Sequence, residues 1–220
     1  MFAGLPPQLA SRANAVLRPR DARAAYAHPG PELARLARRG LLKPLAHGYY
    51  VRVPQSMLGE PDWRPDLHAA ALGIAQADLG PAEAALMHLS AARVLGALPR
   101  ELAVAVVAVT KQRPALAILG GRVVFVTRHV DTLDLQRAVT SLGEGWVTTA
   151  EQTLLDLLHR PGLGDTDPSH ADAAIEWLAQ VVDWTTVAQL AQRQRRLAVL
   201  RRAMAGGRSG FPAQVPGAAR

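Results

Sequence analysis

The chain has 220 residues, enough for two small domains or one larger one, and its 49% hydrophobic and 20% charged residues are the usage of a folded globular protein. It holds no cysteine, which excludes disulfide frameworks, zinc–thiolate sites, iron–sulfur clusters and cysteine nucleophiles. The net charge of +7 is unevenly spread: residues 1–65 carry ten Arg/Lys against four Asp/Glu (+6), residues 66–183 eight against fourteen (−6), and residues 184–220 seven against none (+7), so two basic ends suited to a polyanion flank an acidic body.

In chain order, residues 6–18 place Leu9, Ala13, Val16 and Leu17 at helical spacing and predict a first helix. A second, two turns long, opens at Pro19, has Asp21 in its first turn and stops at Pro29-Gly30. A third runs from Pro31 to Gly40, with proline just inside its start and glycine just past its end. After Gly40 the period shortens: LLKPL, a break at Ala46-His47-Gly48, and YYVRVP read as a hairpin, which Pro44 confines to a sheet edge. Three helices and a hairpin are the chain order of a winged helix-turn-helix over residues 1–55.

Residues 54–66, with three prolines and a glycine, read as a linker. In the second domain, residues 66–205, LHAAALGIAQADL and EAALMHLSAARVLGAL predict two helices broken at Gly80-Pro81. AVAVVAVT (103–110) predicts a strand buried on both faces, GRVVFVTRHV a second strand, and Gly145–Val147 a third. Thr148 and Glu151 stand at capping-box positions ahead of AEQTLLDLLHR, which Pro161 ends; Asp167 and Asp183 look like N-caps. A last helix has the apolar stripe Val187, Leu190, Ala191, Leu197 and Leu200, with Arg193, Arg195, Arg196, Arg201 and Arg202 largely off it as a possible second basic surface; residues 206–220 read as a disordered tail. The expected class is α+β: a winged helix-turn-helix, then a mixed α/β domain with a small sheet and C-terminal helices.

On the third helix Leu33, Leu36 and Ala37 share a face and turn Arg35, Arg38 and Arg39 outward, with Arg35 and Arg39 four apart. In a helix-turn-helix the second helix of the pair enters the major groove, where arginine donates two hydrogen bonds to guanine. The hairpin offers Lys43, His47 and Arg52 for phosphates around a tight Gly48 tip, and one of Tyr49 and Tyr50 must face inward. Candidate DNA-contacting residues are Arg23, Arg35, Arg38, Arg39, Lys43, His47, Tyr49 and Arg52.

No catalytic or cofactor constellation is expected. His28, His47, His68, His88, His129, His159 and His170 lack metal-ligand spacing; the phosphate-loop and dinucleotide glycine patterns are missing, and Ser90 has no nucleophile-elbow setting. Rival readings are a metal-dependent enzyme of nucleic-acid metabolism using Asp131, Asp134 or Asp156, and a protein-binding adaptor. The amino-terminal segment has no basic stretch leading into an apolar run, and nothing approaches the roughly 20 apolar residues of a membrane span, so a cytoplasmic location is expected.

Three stretches carry a family resemblance: PELARLARRGLLKPLAHGYYVRVP, HLSAARVLGALP and TTAEQTLLDLLHRP. In this order they resemble AbiEi-type antitoxins of type IV toxin–antitoxin modules, over about residues 10 to 160. The resemblance implies a winged helix at the N-terminus, autorepression by binding double-stranded repeats in its own promoter, and a second domain that neutralises a nucleotidyltransferase-like toxin without a stable complex.

Overall fold

The computed structural model describes residues 4–99 and 102–216. Leu9 anchors a one-turn helix, α1 (Pro7–Ala10), that stops well short of the helix predicted over residues 6–18. Val16 and Leu17 instead form strand β1 (Val16–Leu17), because the Asn14 carboxamide oxygen accepts from Val16 N–H at 2.9 Å and its amide donates to the Gly73 carbonyl at 2.8 Å, turning the chain into pairing distance. A 3₁₀ turn over Pro19–Ala22 replaces the predicted second helix.

Helix α2 (Pro29–Arg38) starts two residues ahead of expectation and buries Leu33 and Leu36. Its end is a left-handed glycine cap: Gly40 has φ +74°, Gly40 N–H bonds the Ala37 carbonyl at 2.9 Å, and Leu41 N–H bonds that of Leu36 at 3.1 Å. The hairpin is as predicted, β2 (Leu42–Ala46) and β3 (Tyr49–Arg52) about a Gly48 with φ +77°. The small sheet is antiparallel in the order β1-β3-β2, so Pro44 does stand on an edge strand, beside a register shift between Pro44 and Ala46.

The second sheet has six strands. Helix α3 (Leu67–Leu79), capped by Asp66 accepting from Ala69 N–H, precedes β4 (Ala84–Leu86) and α4 (His88–Val94). The predicted second helix of this region is therefore half strand: Ala84, Ala85 and Leu86 are wholly buried between β5 (Val104–Val109), which they pair antiparallel, and β9 (Gly143–Thr148), which they pair parallel. Strands β6 (Leu116–Ile118), β7 (Gly121–Thr127) and β8 (Leu135–Thr140) complete the order β6-β7-β5-β4-β9-β8. β5 is buried on both faces as its sequence predicts, with Ala105, Val107 and Val109 facing α3, and Val106 and Ala108 on the opposite side.

Helices α5 (Ala150–His159), α6 (Pro168–Leu178), α7 (Trp184–Arg193) and α8 (Leu197–Ala205) form a separate cluster with α4. Asp167 and Asp183 are N-caps, and the backbone N–H of Ser169 and the hydroxyl of Thr186 hold their carboxyls below the usual carboxylate range. The α5 cap falls one residue later than predicted: Thr149 accepts from Gln152 N–H, Thr148 is buried against the Thr153 hydroxyl, and Glu151 accepts from Asp183 N–H at 3.0 Å. The predicted last helix is two, broken where Arg195 takes φ +57° and Arg196 N–H bonds the Ala191 carbonyl at 2.7 Å. In the segment expected to be a disordered tail, Phe211 packs on Trp184 with ring centroids 4.8 Å apart. Among the described residues, no helix is long and apolar enough to cross a membrane.

The small sheet does not stand apart. Ala15, Val16, Leu45, Tyr49 and Val51 share one hydrophobic cluster with α3, β5 and β9, and Leu119 N–H bonds the Leu45 carbonyl at 2.8 Å. The close approach depends on Gly73, where a Cβ would lie 2.5 Å from Val16 Cγ2. Gly73→Ala should therefore destabilise the protein by about 1 to 3 kcal/mol in denaturant titrations, and adding Val16→Ala should cost less than the sum of the two single changes.

Candidate nucleic-acid interface

The arginine face of α2 follows from its buried face. Leu33 and Leu36 pack against Leu9, Leu17, Ala22 and Leu42, and this leaves Arg35, Arg38 and Arg39 exposed, with Arg38 and Arg39 three and four residues after Arg35. Arg35 is bound along the helix to Glu32 at 2.7 Å, an exposed pair worth only about 0.2 to 0.5 kcal/mol and easily exchanged. Arg38 borders an open groove of about 780 Å³ between α2 and the hairpin, with Ala34, Ala37, His47 and Tyr50 also on its walls. His47 is exposed at the hairpin tip, and Arg23 is exposed just beyond the 3₁₀ turn. Five of the predicted contact residues thus lie open: Arg23, Arg35, Arg38, Arg39 and His47.

Three do not. Tyr49 is the inward tyrosine: its hydroxyl donates to Asp78 Oδ2 at 2.8 Å and accepts from Arg113 at 3.2 Å, and burial, reinforced by the Asp78 carboxylate, raises its pKa. Lys43 donates to the carbonyls of Pro61, at 2.9 Å, and Trp63, tying the linker to the hairpin. Arg52 donates to the carbonyls of Leu9, Ala10 and Arg12, closing the exposed end of α1, and burial lowers its pKa. These side chains act inside the molecule, contrary to the role expected of them. Tyr50 is the half-buried tyrosine, on the groove wall. Its parity is shared with Arg52, whereas that of Tyr49 is shared with the core residue Val51.

Asp78, near the end of α3, gathers cations from both the N-terminal unit and the loop after β5. Its carboxylate pairs with Arg18 and Arg113, the Arg18 guanidinium lies 5.1 Å from the Tyr49 ring centre, and Arg20 donates to the backbone carbonyls of Ala77 and Asp78. Sequence reasoning did not single out Asp78; nothing local distinguishes it from any other acid near a helix end.

The C-terminal arginines divide similarly. Arg193, Arg195, Arg201 and Arg202 are exposed, but Arg196 donates to the Oδ1 atom of buried Asp156 at 2.6 Å, which also accepts from Arg128 at 3.2 Å. Asp134, named with Asp131 and Asp156 in the metal reading, accepts from the Thr149 hydroxyl at 2.7 Å. Among the described residues, no group of three or more His, Asp or Glu side chains is placed to hold a metal ion. Ser90 and His68 are paired at 2.9 Å but are buried, and the Ser90 oxygen also accepts Val106 N–H at 2.7 Å. No family model matches the chain, and no curated protein matches it.

Removing the carboxylate with Asp78→Ala leaves Arg18, Arg113 and Tyr49 without their shared acceptor. Urea titration should show a loss of about 2 to 3 kcal/mol, against near zero for exposed Glu60→Ala.

Beside Asp156, His88 is fully buried in a left-handed conformation, φ +57°, with Nε2–H donating to the Arg160 carbonyl at 2.9 Å; burial holds its pKa near 4 instead of 6.5. Between those values the unfolded chain binds the proton and the folded one does not, so the contribution of His88 to stability is full above pH 6.5 and should fall by roughly 3 kcal/mol as pH drops to 4. His88→Asn should flatten that slope in denaturant titrations across the same window.

Proposed function

We propose that this chain is a DNA-binding transcriptional regulator whose first 55 residues act as a winged helix-turn-helix, with α2 as recognition helix and the β2–β3 hairpin as wing. What carries the reading is the outward arginine face of α2 beside an exposed hairpin tip. The element order helix, strand, 3₁₀ turn, helix, strand, strand, with β3 central in the small sheet, supports it.

In this reading Arg35, Arg38 and Arg39 read base edges in the major groove, Arg35 exchanging Glu32 for guanine. Arg23 holds backbone phosphate, and Gly48 lets the tip come close to the sugar–phosphate chain with His47 beside it. The resemblance to AbiEi-type antitoxins extends the proposal: the DNA is a set of repeats in the protein's own promoter, and the second domain counters a nucleotidyltransferase-like toxin without forming a stable complex. That extension rests on the sequence resemblance alone.

Fluorescence anisotropy with duplexes from the protein's own upstream region and scrambled controls tests the reading. Arg38→Ala should weaken specific binding by about 1 to 3 kcal/mol and relax discrimination at one base, whereas Arg23→Ala should weaken both duplexes alike and lower the salt slope by about 1. Lys43→Ala should lower stability and leave the salt slope unchanged. Equal affinity for both duplexes, untouched by Arg38→Ala, would remove the proposal.

A further inference from the structure

Strand edges invite pairing with other chains, and folded proteins guard them with shortness, proline, lysine or bulges. Three of the four edges here are guarded. β1 has two residues and β6 three, while β2 carries Lys43, Pro44 and a register shift. β8 is different: six residues, Leu-Gln-Arg-Ala-Val-Thr, with no proline, no lysine and a regular ladder to β9 from Leu135↔Thr148 to Thr140↔Gly143. Among the described residues, no backbone hydrogen bond joins its outer edge to another segment. Val139 on this strand is 81% exposed, far above any other large apolar side chain described.

We infer that the β8 edge is a self-association surface, pairing antiparallel with β8 of a second copy about a two-fold axis at Ala138. An axis perpendicular to the sheet preserves its faces, so Ala138 meets Ala138, Arg137 meets Val139 and Gln136 meets Thr140 of the other copy. No like charges stand opposite each other.

The charges on this face favour a second copy over an unrelated strand. Within one chain Arg137 stands across from Trp146, and Val139 across from Glu144. Among the described residues Arg137 has no carboxylate partner and rests on the Trp146 ring at 3.9 Å, and the exposed Glu144 carboxylate makes no ion pair. In the symmetric pair, one row across the joined sheet reads Trp146 and Arg137 of one copy, then Val139 and Glu144 of the other. Arg137 and the opposite Glu144 are then two strand spacings apart, about 10 Å between Cα atoms, within the joint reach of the two side chains. Two such contacts form, each crossing a Val139 that pairing removes from water.

Sedimentation velocity on the full chain tests this independently of any DNA. Wild-type protein should be a dimer at ~100 µM. Arg137→Glu sets acid against acid twice and should raise the dissociation constant about tenfold or more, and the double variant Arg137→Glu, Glu144→Arg should restore it. Because the chain lacks cysteine, Ala138→Cys adds a reporter. Directly opposed residues have Cα atoms roughly 4.5 to 5.5 Å apart, inside the disulfide range, so oxidation should give one covalent dimer in non-reducing electrophoresis. A wild-type monomer, including one that pairs this edge only with a strand of another protein, overturns the inference. So does a dimer whose affinity Arg137→Glu leaves unchanged or whose Ala138→Cys form does not cross-link.

Discussion

The architecture depends on how closely the small sheet sits on α3. That contact exists because Gly73 has no side chain, so Val16 can reach the helix backbone, and because the Asn14 amide bonds the Gly73 carbonyl there. Once the sheet is seated, Tyr49 and Val51 fill the space between it and the large sheet, and His47 at the hairpin tip stays exposed. The orientation of α2 follows, since Leu33 and Leu36 face the opposite side of the same small sheet through Leu17 and Leu42. The outward direction of its arginines is thus set by packing some distance away, and a change at the α3 contact would reach them through the sheet.

Charge is used in two ways within the same short unit. Arg18, Arg20, Lys43 and Arg52 bind carboxylates or backbone carbonyls of the molecule itself, whereas Arg23 and Arg38 are exposed on the surface. A count of basic residues therefore overstates what is free to meet a polyanion. The same division recurs at the C-terminal end, where Arg196 neutralises a buried carboxylate and its neighbours Arg193 and Arg195 remain exposed. Arginine suits both tasks, because its planar donor fork satisfies several carbonyls or one carboxylate as readily as it presents an edge to solvent.

Local chemistry made some elements legible in the sequence. The glycine after α2, the proline on the hairpin edge, the two-sided apolar run of β5 and the aspartates capping α6 and α7 each state their role within a few residues. Elements formed by distant partners were not legible. Val16 and Leu17 are a strand only because Val51 and Tyr50 lie alongside, and Ala84–Leu86 overrides the helix preference of alanine because β5 and β9 close on both sides. The break before α8 was hidden because it uses Arg195 where glycine is expected; Arg196, just beyond the break, reaches Asp156. Of the candidate interface, the helix face was readable from its period. Which of two adjacent tyrosines turned inward depended on the parity of Val51, and the fates of Lys43 and Arg52 on carbonyls up to 43 residues away.

These long-range constraints also separate regions free to vary from regions that are not. His47 at the hairpin tip and Arg35 and Arg38 on the outer face of α2 are exposed, so substitutions there change what the surface presents without disturbing the sheet beneath. The opposite holds at Asp78, where one carboxylate meets two guanidiniums and a phenol and ties three segments distant in sequence. A surface with sparse internal commitments, held by a support with dense ones, is the arrangement in which binding specificity can change while the fold stays intact. The β8 edge, with a regular ladder on one side and exposed Val139 beside it, combines the same two properties on the far margin of the large sheet.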